Sequence, residues 1–148
     1  MTSISPITRD DHAEWLALWN AYLSFYGTTL DDSTTAATFE RVIGEKPGIH
    51  GAIARDGNDA AVGIVHWLTH PGTWTRTDYC YLEDLFVASE VRGQGVGRAL
   101  VEHVRAWALQ NGSEKVYWLT AESNTTARIL YDRVASRSGM IHYEISVG

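Results

Sequence analysis

Three glycines at alternate positions, Gly93, Gly95 and Gly97, constrain this chain more than any other stretch. They follow an apolar, strand-like run at 81–87 and open a helix-like run at 99–110. Glycine reaches positive φ without a Cβ penalty and lets the backbone approach a ligand closely. The first N–H groups of a helix lack intrahelical acceptors and carry partial positive charge. A strand, a glycine turn and a helix N-terminus in this order make an anion site, with phosphate the expected ligand. Spacing narrows the ligand. The dinucleotide fingerprint G-x-G-x-x-G requires glycine at position 98, where the chain has Arg98, and the triphosphate-binding loop requires a Gly-Lys pair that the sequence lacks.

The flanking sequence supplies a scaffold. A short strand at 4–7 leads through Arg9-Asp10-Asp11 into a helix ending near Tyr26, with Trp15, Leu18, Trp19, Tyr22, Leu23 and Tyr26 at helical period and Gly27 as its stop. A second helix is expected over 33–43, capped by Asp32 and ended by Gly44 and Pro47. Strands at 50–55 and 60–68 flank Asp56-Gly57-Asn58-Asp59, a hairpin signal. After a polar loop at 69–78 come a strand at 79–87, the glycine turn, and the helix ending at Asn111-Gly112. A strand at 115–121, a helix at 125–136 and a strand at 140–147 complete the chain. The order β-α-α-β-β-β-α-β-α-β predicts one α/β domain over 1–148: a mixed sheet, antiparallel early and with a crossover late, flanked by helices.

Bulk properties remove several function classes. Lys and Arg number 12 against 18 Asp and Glu, a net charge of −6 that argues against nucleic-acid binding. No apolar run approaches the ~20 residues of a membrane span. No basic, then apolar leader opens the chain, so a cytoplasmic protein is expected. Cys80 is the single cysteine and lies in a strand pattern, which reads as a buried structural thiol rather than a nucleophile. The six histidines show no metal-ligand spacing, and no metal is expected.

The turn reads Arg92-Gly93-Gln94-Gly95-Val96-Gly97. It is preceded by Tyr81-Leu82-Glu83-Asp84-Leu85-Phe86-Val87 and followed by Tyr117-Trp118-Leu119-Thr120-Ala121-Glu122-Ser123-Asn124, with Tyr131 beyond. On these motifs the chain resembles the GNAT superfamily, the Gcn5-related N-acetyltransferases, and within it the branch of the yeast histone and polyamine acetyltransferases. The resemblance runs from the first helix to the last strand. It implies a single-domain GNAT fold whose mostly antiparallel sheet splays at the cofactor site. It also implies acetyl-CoA as co-substrate and direct transfer to an amine of a small molecule. A protein or peptide amine is the alternative acceptor, and a CoA-binding sensor without turnover is the alternative outside enzymes.

The same resemblance implies roles. Amides of Gly93, Gln94, Gly95, Val96, Gly97 and Arg98 would hold the pyrophosphate, with the Arg92 and Arg98 side chains beside it. Leu85, Phe86 and Val87 would lie along the pantetheine, an amide of Phe86 or Val87 facing the thioester oxygen. Tyr131 would protonate the departing sulfur, and Asn124 would contact the cofactor while capping its helix. Glu83 would serve as base or bind the cationic substrate. From residue chemistry alone, Glu83 and Asp84 are expected on opposite strand faces. Tyr26 and Trp74 are expected beside the amine through cation–π attraction, Trp19 and Tyr22 as packing. A homodimer is expected because the last strand would lie near a sheet edge. Residues 134–140 depart from the commoner Gly-Phe ending of the family, which leaves the dimer mode open.

Overall fold

The computed structural model describes residues 1–44 and 48–148, so the expected stop at Pro47 lies outside the described residues. The elements are β1 (Ser3–Pro6), α1 (His12–Phe25), α2 (Asp32–Ile43), β2 (His50–Arg55), β3 (Ala61–Pro71), β4 (Asp78–Val87), α3 (Val96–Gln110), β5 (Ser113–Tyr117) and α4 (Thr125–Val134). A 3-10 turn at Arg9–Asp11 precedes α1, and there the Thr8 N–H donates to Asp11 Oδ2 at 2.8 Å. Asp31, one residue earlier than expected, caps α2 by accepting from the Thr34 N–H at 2.7 Å.

The sheet runs β1-β2-β3-β4-β5. Its first four strands are antiparallel, and β5 joins β4 in parallel after the α3 crossover. Strand alternation divides the core in two. Ile53, Ile64 and Phe86 meet Trp15, Leu18, Trp19 and Phe39 of α1 and α2, whereas Ala52, Ala54, Val65 and Trp67 meet Leu100, Val101 and Val104 of α3.

Two irregularities shape the middle of the sheet. His66 pairs with Asp84 but Trp67 pairs with Leu82, so Glu83 is an extra residue on β4, a β-bulge. Leu82 therefore joins the α3-side core and Phe86, four residues later, the α1-side core. The strict alternation expected of Glu83 and Asp84 does not hold, because the bulge resets the pleat between them. The second irregularity is a splay. Pairing of β4 with β5 ends at Tyr81 and Tyr117, while β4 continues to Val87. β5 stops at Tyr117 instead of 121, and the chain leaves the sheet there for α4.

The segment 140–147 forms no strand, and nothing among the described residues pairs with it. No helix among the described residues is long and apolar enough to cross a membrane.

Candidate active site

The glycine turn presents free amides. Gly93 and Gly95 adopt φ of +83° and +85°, and a Cβ at either would meet nothing within 4 Å, so the turn is open on that side. The Ala99 N–H donates to the Gly95 carbonyl at 3.0 Å as the first bond of α3, which leaves the N–H groups of Val96, Gly97 and Arg98 without a helical acceptor. The Gln94 N–H is taken by the Val91 carbonyl at 3.3 Å, so the row of amides expected from 93 to 98 is interrupted there. Arg92 braces the turn: its Nε donates to the Val87 carbonyl at 3.1 Å, and its guanidinium lies 5.6 Å from the ring centres of both Phe25 and Phe86.

The splay exposes one edge of β4. The Ala88 N–H donates across the ladder to the Val62 carbonyl at 2.8 Å. Backbone groups alternate between the two edges of a strand, so the Val87 N–H points to the open edge. Consistent with this, the Val87 carbonyl is bound by Arg92 and not by β3. Of the two amides expected to face a thioester oxygen, Val87 supplies the outward one. Across the gap, Tyr131 on α4 sits edge-on to Trp118 with ring centres 5.3 Å apart. Burial, and secondarily Tyr26, push its phenol up to about 12. The Asn124 side chain donates to Thr120 Oγ1 at 3.4 Å and makes no cap bond to α4.

A second polar centre lies on the α1 side. The aromatic rings of α1 form a ladder, with centres 5.5 Å apart from Trp15 to Trp19, 5.3 Å from Trp19 to Tyr22 and 5.1 Å from Tyr22 to Tyr26. The Tyr22 hydroxyl donates to Asp84 Oδ1 at 2.7 Å. His66, 1% exposed, has Nδ1 2.9 Å from Asp84 Oδ2 and Nε2 3.0 Å from Trp15 Nε1. An indole N–H can only donate, so Nε2 accepts and the imidazole proton lies on Nδ1, donated to Asp84. Both Asp84 oxygens are thereby fixed. Partial burial, then the charge of Asp84, raises the Glu83 carboxyl above its ordinary range. Nearby, His70 Nε2 lies 2.6 Å from the Tyr117 hydroxyl, and the Tyr117 ring packs tilted against Tyr81 with centres 4.9 Å apart.

The sequence profile of the Acetyltransferase (GNAT) family matches residues 15–135. The chain belongs to the GNAT acetyltransferase family, and it is an acyltransferase enzyme. The acetyltransferase is 33% identical over 142 residues to the D-amino-acid N-acetyltransferase HPA3 of Saccharomyces cerevisiae, covering 95% of this chain and 88% of the relative. It is 27% identical to the thialysine N-epsilon-acetyltransferase of Caenorhabditis elegans, covering 84% of this chain and 76% of that one. In fold it resembles the structure of AAC(6')-Iy in complex with a bisubstrate analogue, with a TM-score of 0.86, 16% identity, and coverage of 100% of this chain and 99% of that one.

In this acetyltransferase the expected site residues separate into groups. Leu85, Phe86 and Val87 lie on the splayed part of β4, Gly93, Gly95, Val96, Gly97 and Arg98 follow after a 3-10 turn at Ser89–Val91, and Tyr131 packs on Trp118 just beyond the end of β5. Tyr26 meets Tyr22 and so reaches the Asp84 centre. Trp74, 88% exposed in the 72–77 loop, makes no aromatic contact among the described residues. Sequence reading missed His66 and Tyr22 as polar partners. One signal was present: a histidine inside the apolar run Val62-Gly63-Ile64-Val65-His66-Trp67 must be hydrogen-bonded when buried. Cys80 is buried, which pushes its thiol up to about 11 and fits a structural role. No group of three or more metal-ligating side chains occurs among the described residues.

Proposed function

We propose that this acetyltransferase moves an acetyl group from acetyl-CoA directly to the primary amine of a small molecule. The observation that carries this reading is the open β4 edge from the Glu83/Asp84 pair to Val87, followed after a 3-10 turn at Ser89–Val91 by the glycine turn and the free amides of α3. The residues present fit the co-substrate. The Val96, Gly97 and Arg98 N–H groups are free to hold pyrophosphate, and no side chain crowds Gly93 or Gly95. The open edge offers backbone groups to pantetheine as to an added strand. Bound acetyl-CoA supplies the activated acyl group, and the chain's residues do the rest. The outward Val87 N–H stabilises negative charge developing on the carbonyl oxygen. Tyr131 arrives protonated and presents its hydroxyl to the departing sulfur. Glu83, with a raised affinity for protons, takes the proton lost by the amine, and Asp84 holds the positive charge of the incoming ammonium near Tyr22 and Tyr26.

The named relatives support a small acceptor, since the yeast protein is a D-amino-acid N-acetyltransferase and the nematode protein a thialysine N-epsilon-acetyltransferase. Titration calorimetry with acetyl-CoA is expected to show saturable binding, and no heat at millimolar ligand would end the proposal. Release of CoA, followed with a thiol reagent, is expected with some members of a panel of amino acids, polyamines and lysine analogues. Turnover confined to peptide amines would replace the small-molecule acceptor with a protein one.

A further inference from the structure

His66 sits in the middle of β3 with a polar partner at each ring nitrogen and apolar walls elsewhere. Nδ1 meets Asp84 Oδ2 at 2.9 Å, and the Trp15 indole N–H donates to Nε2 at 3.0 Å. Trp15 is as fully buried as His66. Gly51 of β2 pairs with His66 across the ladder. A Cβ on Gly51 would lie 3.3 Å from His66 Cδ2, and it would also strike Val42 and Ile7, which fill the same hollow. Trp19 lies against the ring with centres 5.5 Å apart. Gly51, Val42, Ile7 and Trp19 bring no titratable group to the imidazole. Those that face it are Asp84 and Glu83 of β4 and, through Asp84, Tyr22 of α1.

A carboxylate beside a histidine favours a second proton on the ring. The resulting imidazolium would cancel the charge of the carboxylate. Trp15 stands against that proton. An indole N–H only donates, and an imidazolium has two N–H groups and no acceptor. Protonation at Nε2 would set two N–H groups head to head and leave both without partners in a place closed to water. Both donors to Asp84, the Tyr22 hydroxyl and the His66 Nδ1–H, are then neutral groups. Among the described residues no Lys or Arg pairs with Asp84.

We propose that Trp15 is a positioning residue for the acceptor: it bars a second proton from His66, so that the charge of Asp84 stays available to the acceptor's ammonium and is not cancelled inside the protein. This rests on the reading of Asp84 as the holder of that ammonium. Trp15 acts through His66 and need not touch substrate. The block and the second donor to Asp84 come from one element, since Trp15 and Tyr22 lie two turns apart on α1. The helix that walls the acceptor site therefore also sets its charge. An acceptor that arrives as a cation is favoured over an uncharged molecule of the same shape.

The test compares the full chain with two variants. Trp15→Phe removes the N–H and keeps an aromatic ring. In Trp15→Phe/His66→Asn the amide can still donate to Asp84 but cannot take a charge. Long-range proton–nitrogen NMR correlations are expected to show parent His66 with one proton, on Nδ1, from about pH 8 to about pH 6. In Trp15→Phe, Nε2 is expected to gain a proton over the same range. The binding probe is n-butylammonium, with n-butanol as its uncharged control. Trp15→Phe is expected to weaken n-butylammonium about tenfold at pH 6 and about twofold at pH 8, with n-butanol unaffected. The double variant is expected to bind the cation alike at both pH values. A parent His66 that takes a second proton in this range overturns the inference, and that reading does not depend on either variant folding. So does an equal loss at both pH values in Trp15→Phe, which makes its role structural, or a pH-dependent loss that persists in the double variant. A parent that binds n-butylammonium no better than n-butanol overturns it too. Acetyl-CoA calorimetry scores the acetyl-transfer reading separately, because none of these readouts needs turnover.

Discussion

At the scale of single residues, the site depends on which protons stay where. Burial holds the Tyr131 phenol at about 12, so it stays protonated through the neutral range and gives no alkaline limb there. Tyr131→Phe keeps the edge-on contact with Trp118 and removes only the hydroxyl. It is expected to lower kcat by about 10²-fold, as loss of a positioned acid does, with acetyl-CoA affinity by calorimetry little changed. An undiminished kcat takes Tyr131 out of the proton path. Glu83 behaves in the opposite sense. Burial first, then the charge of Asp84, disfavours its ionised form. As a base it acts only when ionised, so kcat/KM is expected to rise with pH through a value above the ordinary glutamate range. Asp84→Asn removes the neighbouring negative charge and should move that limb to lower pH, while Glu83→Gln should abolish it. A limb that persists in Glu83→Gln assigns the base elsewhere.

At the scale of elements, α4 is placed by how closely it approaches α3. A Cβ on Gly97 would lie 3.2 Å from Leu130 Cδ2 and 3.6 Å from Val87 Cγ2. Tyr131 follows Leu130 directly, so a wedge at Gly97 displaces Tyr131. Gly97→Val is expected to cost about 1–3 kcal/mol through overpacking, read as a lower melting temperature, and to weaken acetyl-CoA binding. Leu130→Ala in the same chain makes room and should recover part of both losses. A Gly97→Val protein unchanged in both measures shows that the contact does not place α4. This element was legible in the sequence, as were the other helices, because helical periodicity and glycine stops are local signals. The bulge at Glu83 was not. Nothing in Leu82-Glu83-Asp84 marks an extra residue, and the slip is set by which core claims Leu82 and which claims Phe86. The β5 boundary was misread for a related reason: Trp118 and Leu119 continue the apolar pattern, yet the sheet must part there for the splay to exist. His66 was visible as an oddity, but its partners come from α1 and β4, sequence separations of 51 and 18 residues.

At the scale of the whole molecule, one cation ties the start of α1 to the sheet. Arg55, at the end of β2, bonds Asp11 Oδ1 at 2.7 Å and Glu14 Oε2 at 2.8 Å, and also the Asp59 carbonyl at 3.1 Å. It thus joins the start of α1 to the β2–β3 hairpin, and α1 is the helix that delivers Tyr22 and Tyr26 to Asp84. Burial would raise the Asp11 carboxyl, but bonds from Thr8 and Arg55 outweigh it and hold the net value below 3.8. The Arg55 bond likewise lowers Glu14 below 4.5. Groups with depressed folded values add stability at pH above their unfolded values and lose it as pH falls through the folded ones. The window of loss therefore opens below about pH 4.5. Arg55→Met is expected to destabilise the fold by about 1–3 kcal/mol at pH 7, chiefly through Asp11, because Glu14 is half in solvent and screened. Urea unfolding at pH 7 and pH 3 should show the parent and variant curves converging at the lower pH. A gap of equal size at both pH values would place the effect of Arg55 in packing rather than charge. Because α1 carries the aromatic ladder but not the glycine turn, the same variant should raise KM for the amine more than KM for acetyl-CoA.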